Sequence, residues 1–312
     1  MKTAFLFPGQ GSQHAGMLSA FNLKNEVVCS IFREFENALN KSIDTVDNEV
    51  ALRSTVNTQL CLLLSGVISA SLLIDHGVKP NYVAGHSVGT FAAATVAGVI
   101  TFKQALTLVN KRAVLMEASY PSGYGMTALI GYSVERLKTV LARHNAIHPP
   151  LYLANINTAT QLVIAGQADS MKALVEHLSM NGLQKARLLQ VAVPSHCELL
   201  NEVSNELKEL INTMVLKEPS IPYASNSTGR LLRTSEDVRR DLWVNISTTV
   251  QWYDALSLIY EHGARVFMEM SPAGVLAKIT DSIFPDIHTI RVNESRIDQA
   301  AFLWNEYQNK NI

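Results

Sequence analysis

Apolar residues along this chain fall into short runs separated by longer, helically spaced stretches. Thr3-Ala4-Phe5-Leu6-Phe7 has strand length and runs into the turn Pro8-Gly9-Gln10-Gly11-Ser12-Gln13. Phe32, Phe35 and Leu39 then recur at helical spacing. From Gln59 to His76 the chain is apolar on most faces, the pattern of a helix packed on a sheet, and Gly77 ends it. Tyr82-Val83-Ala84-Gly85 forms a second strand, followed by a small-residue helix, Ala92 to Ala97, and a longer one, Phe102 to Ala118. Strand and helix alternate, which predicts a parallel sheet with helices on both faces.

The middle of the chain has another rhythm. Met126–Ile130, Leu151–Ala154, Gln161–Ala165 and Lys185–Gln190 read as strands, and Ser133–His144 and Asp169–Met180 as helices. The order βαββαβ is that of a ferredoxin-like unit. The expected organisation is thus a large α/β domain, residues 1–125 and 193–312, interrupted by a small ferredoxin-like subdomain, 126–192. After Pro194 the pattern predicts a helix over Glu198–Met214, a strand at Tyr223–Ser225, a helix over Val250–His262 and a strand at Val266–Met270. Ser271-Pro272-Ala273-Gly274 opens a further helix, and the polar tail Asn305–Ile312 is expected to fray.

Composition narrows the function classes. The chain has 312 residues, 47% hydrophobic and 17% charged, with net charge -1. That near-neutral balance argues against general electrostatic binding to nucleic acid or anionic membrane. The uncharged run Thr55–Ile74 holds Asn57, Gln59, three serines and Gly66, so it reads as a buried helix and not a membrane span. The N-terminal apolar run is too short for a secretion signal. Cys29, Cys61 and Cys197 have no paired spacing, which makes a reducing cytoplasm the default. No His/Cys set has metal-ligand spacing, so no metal or redox cofactor is expected.

The candidate chemistry centres on Gly85-His86-Ser87-Val88-Gly89. A G-x-S-x-G pentapeptide between a strand and a small-residue helix places its serine on a sharp turn. The helix end beyond it offers free N–H groups, the Val88 amide among them, to an oxyanion formed at Ser87. The alternative is that Ser87 is merely a small residue where strand meets helix. A serine nucleophile needs a base. His86 is adjacent in sequence, and neighbours on a turn point apart. His14, His76, His144, His148, His177, His262 and His288 lie near helix ends or polar stretches. His196, in "VPSHC", follows a strand and a proline and opens a helix, a rim position suited to a base. Arg112, if its helix carries it buried into an apolar pocket, wants a carboxylate. That partner is either a substrate, gripped by the guanidinium fork, or Glu117 in a structural ion pair.

Taken in order, "FLFPGQGSQ", "GHSVG", the Arg of "NKRAVLM", "VPSHC" and "VQW" resemble the malonyl-CoA:acyl-carrier-protein transacylases over nearly the whole chain. "MEMSPAGVLAKI" is similar to that family's C-terminal strand-turn-helix. The resemblance implies an α/β-hydrolase-like large domain with a ferredoxin-like insertion. It implies Ser87 as the malonyl-carrying nucleophile, His196 as general base, and Gln10 as a second oxyanion amide beside Val88. It further implies Arg112 on the malonyl carboxylate, Gln251 orienting His196 through its backbone carbonyl, and Asn157 near the catalytic pair. The substrate implied is the CoA thioester, with no bound cofactor, and the partner is an acyl carrier protein bearing a phosphopantetheine-type thiol.

The chain also departs from the fatty-acid form of the family. Thr90-Phe91 stands where a Glu-Tyr pair is usual, Ser271-Pro272-Ala273 where Gly-Pro-Gly is usual, and Tyr120–Met126 is unlike the usual stretch. "GHSVGTFAAA" and "YPSGYGM" are more similar to the transacylase (epsilon) subunit of bacterial malonate decarboxylase, whose other subunits would then be partners. Alternatives are a transacylase of fatty-acid or polyketide synthesis, a serine thioesterase or esterase using Asp169 as triad acid, and a non-catalytic scaffold. Lys185, Arg187, Arg230 and Arg233 are candidates for docking an acidic carrier, or simply solvated charges.

Overall fold

The computed structural model describes residues 1–309 other than Pro121, Gln190 and Ala192. Three sequence expectations touch residues outside that set: the end of the strand Lys185–Gln190, the end of the insertion at Ala192, and the last three residues of the tail.

Among the described residues ten strands form two sheets. They are β1 (Lys2–Phe7), β2 (Tyr82–Gly85), β3 (Tyr124–Ile130), β4 (Leu151–Ile156), β5 (Gln161–Gln167), β6 (Lys185–Leu188), β7 (Tyr223–Ala224), β8 (Leu231–Leu232), β9 (Ala264–Glu269) and β10 (His288–Arg291). The larger sheet has the order β10-β9-β1-β2-β7-β8. It is parallel except for β8, which pairs antiparallel with β7. Side chains alternate across it as a strand requires. Phe5 and Phe7 enter the core beneath the helix Thr55–Asp75, while Ala4 and Leu6 pack with Trp252 and Leu256 on the other face.

The expected core helix begins four residues earlier than its apolar pattern does, at Thr55, because Ser54 caps it by accepting from the Asn57 N–H. It lies inside the fold. Gly66 on this helix faces Phe7 and Ala92, where an added Cβ would sit 3.1 Å and 3.3 Å from their side-chain carbons. Helix and sheet approach closely because all three positions stay small or flat.

The smaller sheet is antiparallel, order β4-β5-β3-β6, with the helices Val134–His144 and Ala168–Ser179 packed through Leu129, Leu137, Ile164 and Leu174. This is the ferredoxin-like order. Its first strand starts at Tyr124, two residues ahead of the expected boundary. The smaller sheet is tied to the loop ahead of the helix Trp252–Glu261 by the Val250 N–H donating to Ala154 O (2.8 Å) and the Ile156 N–H donating to Val250 O (2.9 Å).

Besides the short turns Ile43–Val46, Ala51–Arg53 and Asn245–Ser247, elements with no sequence expectation are β8, β10, and the helices Ser235–Val244 and Ile297–Asn309. The tail does not fray as expected. It is helical to Asn309, pinned where Trp304 Nε1 donates to Thr3 Oγ1 at 2.8 Å. A polar composition misled here because the helix buries only one edge, at Ile297, Ala300 and Ala301.

Candidate active site

The carboxyl ends of the parallel strands β1, β2, β7 and β9 converge on one edge of the larger sheet, the usual location of sites in such sheets. Ser87 follows β2 on a strained turn, with φ +56°, a left-handed conformation uncommon for a side chain other than glycine. The glycines on either side make the turn possible. A Cβ at Gly85 would lie 2.2 Å from the Gly89 carbonyl carbon, and one at Gly89 would lie 2.2 Å from Phe7 O. The Ser87 N–H donates to Asn226 Oδ1 (2.9 Å), and the Ser87 carbonyl accepts from Thr90 Oγ1 (2.7 Å). Val88 caps the helix Gly89–Val96, so its amide heads that helix as expected.

His196 lies 109 residues downstream and comes within hydrogen-bond reach of the serine: Ser87 Oγ donates to its Nε2 at 2.8 Å. Its own backbone is also left-handed, φ +63°. The main-chain N–H donates to Ile246 O (2.8 Å) and the ring Nδ1 donates to Asn245 O (2.6 Å). Those partners fix the tautomer that leaves Nε2 free to accept. Burial first, and the nearby Arg112 charge second, push this imidazole down to about 3.

The carbonyl that orients the ring therefore belongs to Asn245 and not to Gln251. Gln251 is near, lining the same surface cleft as His196, but its N–H donates to Asn226 O (2.8 Å) and its side chain to Thr249 O (3.4 Å). The motif "VQW" marks the right region. Placement of a single backbone carbonyl depends on the 3₁₀ turn Asn245–Ser247, which side-chain patterns do not encode.

Arg112 is fully buried, and burial lowers it to about 9, which leaves it a cation at neutral pH. Its Nη1 donates to Gln59 Oε1 (2.6 Å) and its Nη2 to Ser87 Oγ (3.1 Å), while Nε has no partner among the described residues. Glu117 is not its ion-pair partner. That carboxylate accepts instead from Ser54 Oγ (3.0 Å) and the Thr55 N–H (2.7 Å) at the start of the core helix. A buried guanidinium lacking a buried carboxylate is costly unless a ligand supplies one.

Gln59 was not singled out from sequence. Its Nε2 donates to Gln10 Oε1 (3.1 Å), so one amide ties the Arg112 guanidinium to the Pro8–Gln13 turn. Gly9 in that turn lies against the nucleophile turn, where an added Cβ would sit 2.7 Å from His86 O. Gln10 is thus brought to the site.

His86 points away from Ser87. It sits edge-on to Trp252 and its Nε2 meets Asn157 Oδ1 at 3.3 Å; burial lowers it to about 4. Asn157, His86 and Gln10 line a cleft of about 320 Å³ between the two sheets. Ile130, Lys185 and Arg187 line it from the small subdomain. Arg230 and Arg233 flank β8 and do not join that cleft. Asp169 is exposed in the first turn of Ala168–Ser179, and His196 Nδ1 is already held by a carbonyl, so no Ser-Asp-His triad forms through it.

Sequence reasoning also missed Asn226, Asn245 and Asp241. The first follows β7 at the same sheet edge, a signal that the strand pattern could have supplied. Asp241 lies on the helix Ser235–Val244 and Asn245 in the 3₁₀ turn that follows it, and neither element was anticipated.

Comparison with known proteins agrees with this fold. The acyl transferase domain model matches residues 4–295. The malonyl CoA-acyl carrier protein transacylase of Bacillus subtilis (strain 168) is 29% identical over 99% of this chain and 99% of its own length. The structure of the corresponding transacylase from Coxiella burnetii superposes with a TM-score of 0.91 at 29% identity, covering 96% of each chain. A malonyl-transacylase in complex with its type II polyketide acyl-carrier protein superposes with a TM-score of 0.91 at 28% identity, over 98% of this chain and 100% of that one. With that match running over most of its length, and a strained serine, a histidine and a buried arginine meeting inside the matched span, the chain belongs to the acyl transferase domain family.

Proposed function

We propose that this protein transfers a malonyl group from malonyl-CoA to the thiol of an acyl carrier protein through a malonyl ester on Ser87. The observation that carries the reading is the shared position of three groups: Ser87 Oγ lies 2.8 Å from His196 Nε2 and 3.1 Å from Arg112 Nη2. One polar atom thus meets a base and a cation at once.

In the first half-reaction His196 Nε2 takes the Ser87 proton and Oγ attacks the thioester carbonyl carbon. The Val88 and Gln10 amides donate to the tetrahedral oxyanion. The C–S bond then breaks, and His196 returns its proton to the CoA sulfur. In the second half-reaction His196 takes the proton of the carrier thiol. The sulfur attacks the ester and Ser87 leaves, protonated by the same imidazole. Arg112 grips the distal carboxylate, which a plain acetyl group lacks. Asn157, held by His86, lines the cleft along which the carrier arm enters, with Lys185 and Arg187 at its charged wall. Gln251 supports the site at one remove, through Asn226. Side chains and backbone amides carry every step, so the reaction calls for no resident cofactor, and its CoA and carrier substrates fit a cytoplasmic setting.

Thr90-Phe91 and the stretch around Tyr124-Gly125-Met126 support placing the chain in malonate decarboxylase, with that complex's carrier as acceptor. Fatty-acid or polyketide synthesis is the alternative, favoured by the relatives' names. Incubation with radiolabelled malonyl-CoA and peptide mapping tests the chemistry. Label is expected on Ser87 and absent from Ser87→Ala; label elsewhere ends the proposal. Offering the two kinds of carrier side by side then decides the setting by relative rate. Turnover without any thiol acceptor would instead point to a thioesterase.

A further inference from the structure

Asp241 is a buried carboxylate that the transfer does not use. It sits on the helix Ser235–Val244 and is 2% exposed. Five donors converge on it. Oδ1 accepts from Ser225 Oγ (2.6 Å), the Ser227 N–H (2.9 Å) and Ser227 Oγ (2.6 Å). Oδ2 accepts from Tyr223 OH (2.7 Å) and the Asn226 N–H (3.1 Å). No cation pairs with it among the described residues. So many hydrogen bonds on one carboxylate hold the turn after β7 in a single geometry.

That turn touches the nucleophile directly. Asn226, whose N–H is held by Asp241, uses Oδ1 to accept the Ser87 N–H at 2.9 Å. A second path reaches the carbonyl of the same residue. Asn245 Nδ2, anchored on Asp241 O, also reaches Thr90 Oγ1 (3.5 Å), and Thr90 Oγ1 donates to Ser87 O at 2.7 Å. A third path runs to the base. Asn245 Nδ2 donates to Asp241 O (2.9 Å), and Asn245 O is the carbonyl that holds His196 Nδ1. Residues in left-handed φ persist only where their surroundings over-determine them, and both Ser87 and His196 are such residues.

We propose that Asp241 is the positioning residue of the Ser87–His196 pair: its carboxylate, through Asn226, holds the nucleophile's strained backbone, and its carbonyl, through Asn245, steadies Thr90 and the group that orients the base. This rests on the reading of Ser87 as nucleophile. Asp241 touches no substrate in this account and acts only through these neighbours.

Asp241→Asn keeps the size but puts an NH₂ among five donors. The test measures the single-turnover rate of malonyl-enzyme formation by intact mass, together with kcat and KM for malonyl-CoA. The full-length wild type, Asp241→Asn, Asn226→Ala and the double variant are compared. Acylation and kcat are expected to fall about 10- to 100-fold in Asp241→Asn, the scale of a misplacement near 1 Å, with KM within about twofold. The double variant is expected to lose little more than the worse single one, since both act on the same turn. Ser204→Ala removes a hydrogen bond to Trp243 O on the same helix (2.9 Å) and is expected to leave acylation unchanged. If Asp241→Asn does not fold, Ser225→Ala/Ser227→Ala keeps the carboxylate and removes two hydroxyl donors. It is expected to lower kcat at constant KM in the same way. Wild-type acylation rates in these variants, a change confined to KM, an equal loss in Ser204→Ala, or fully additive losses would each overturn the proposal. Failure of the wild type itself to take label on Ser87 would overturn the transacylase reading instead.

Discussion

Arg112 Nη2 and Ser87 Oγ stand 3.1 Å apart, so the cation expected to read the substrate's carboxylate is already bonded to the atom expected to attack its carbonyl. The serine hydroxyl accepts from Arg112 and donates to His196. The two bonds pull in one sense: both stabilise negative charge growing on Oγ as its proton leaves.

Specificity for malonyl over acetyl follows from this contact. Arg112→Ala is expected to lower kcat/KM for malonyl-CoA about a hundredfold, roughly 3 kcal/mol, as the loss of one partner in a buried charge pair does. Acetyl transfer, which has no carboxylate to lose, is expected to change much less. Steady-state rates with both thioesters check this, and equal losses would remove Arg112 from carboxylate recognition.

The pH dependence of turnover carries a second signature. Burial, then Arg112, then His86 depress His196, down to about 3. A malonyl carboxylate on Arg112 neutralises the second of these, so the imidazole becomes more basic in the complex. The acid limb of kcat is therefore expected at higher pH than the acid limb of kcat/KM, which reports the free enzyme. Profiles from pH 4 to 8 check this: kcat as flat down to pH 4 as kcat/KM would show that carboxylate binding leaves the base untouched.

Acid stability has a defined sign. In the unfolded chain His196 titrates near about 6.5, whereas in the fold it stays neutral down to about 3. Between those values the unfolded state binds the extra proton, so stability falls as pH falls through that window and is fully present above it. His86, lowered to about 4 by burial, acts in the same direction. Thermal midpoints of wild type and His196→Gln, measured from pH 7 to 4, should converge with acidification; parallel curves would contradict the assignment.

Gly89 tests the turn itself. An alanine Cβ there would lie 2.2 Å from Phe7 O and 2.8 Å from Phe7 C, both backbone atoms that cannot swing away. Gly89→Ala is expected to cost about 3 kcal/mol or more in urea unfolding and to abolish acylation. By contrast, Gly11→Ala meets no atom within 4 Å and is charged only for its φ of +107°. Its loss is expected to be about 1 kcal/mol.

Much of the architecture was legible because it rests on local periodicity. Burial on both faces made β2 an uninterrupted apolar run, and Phe5 and Phe7 against Ala4 and Leu6 follow the two-residue repeat of a strand. The ferredoxin-like insertion announced itself through the order of its elements, and the nucleophile turn through two glycines whose lack of a Cβ is sterically required. Where burial was partial the pattern weakened, which is why the helices Ser235–Val244 and Ile297–Asn309 went unforeseen.

The amino-acid order by itself determined which side chains could do chemistry here: a serine between close-packed glycines, a histidine after a proline, an arginine in the helix that follows the nucleophile turn. Only the tertiary structure decided what each one meets. It gave His196 the carbonyl of Asn245 rather than Gln251, Arg112 the amide of Gln59 rather than the carboxylate of Glu117, and Ser87 the side chain of Asn226. The reason is physical. Side-chain type and spacing constrain an element from within, but a hydrogen bond between residues 49 to 139 positions apart is set by how strands and helices pack, and a backbone carbonyl carries no residue-specific mark at all.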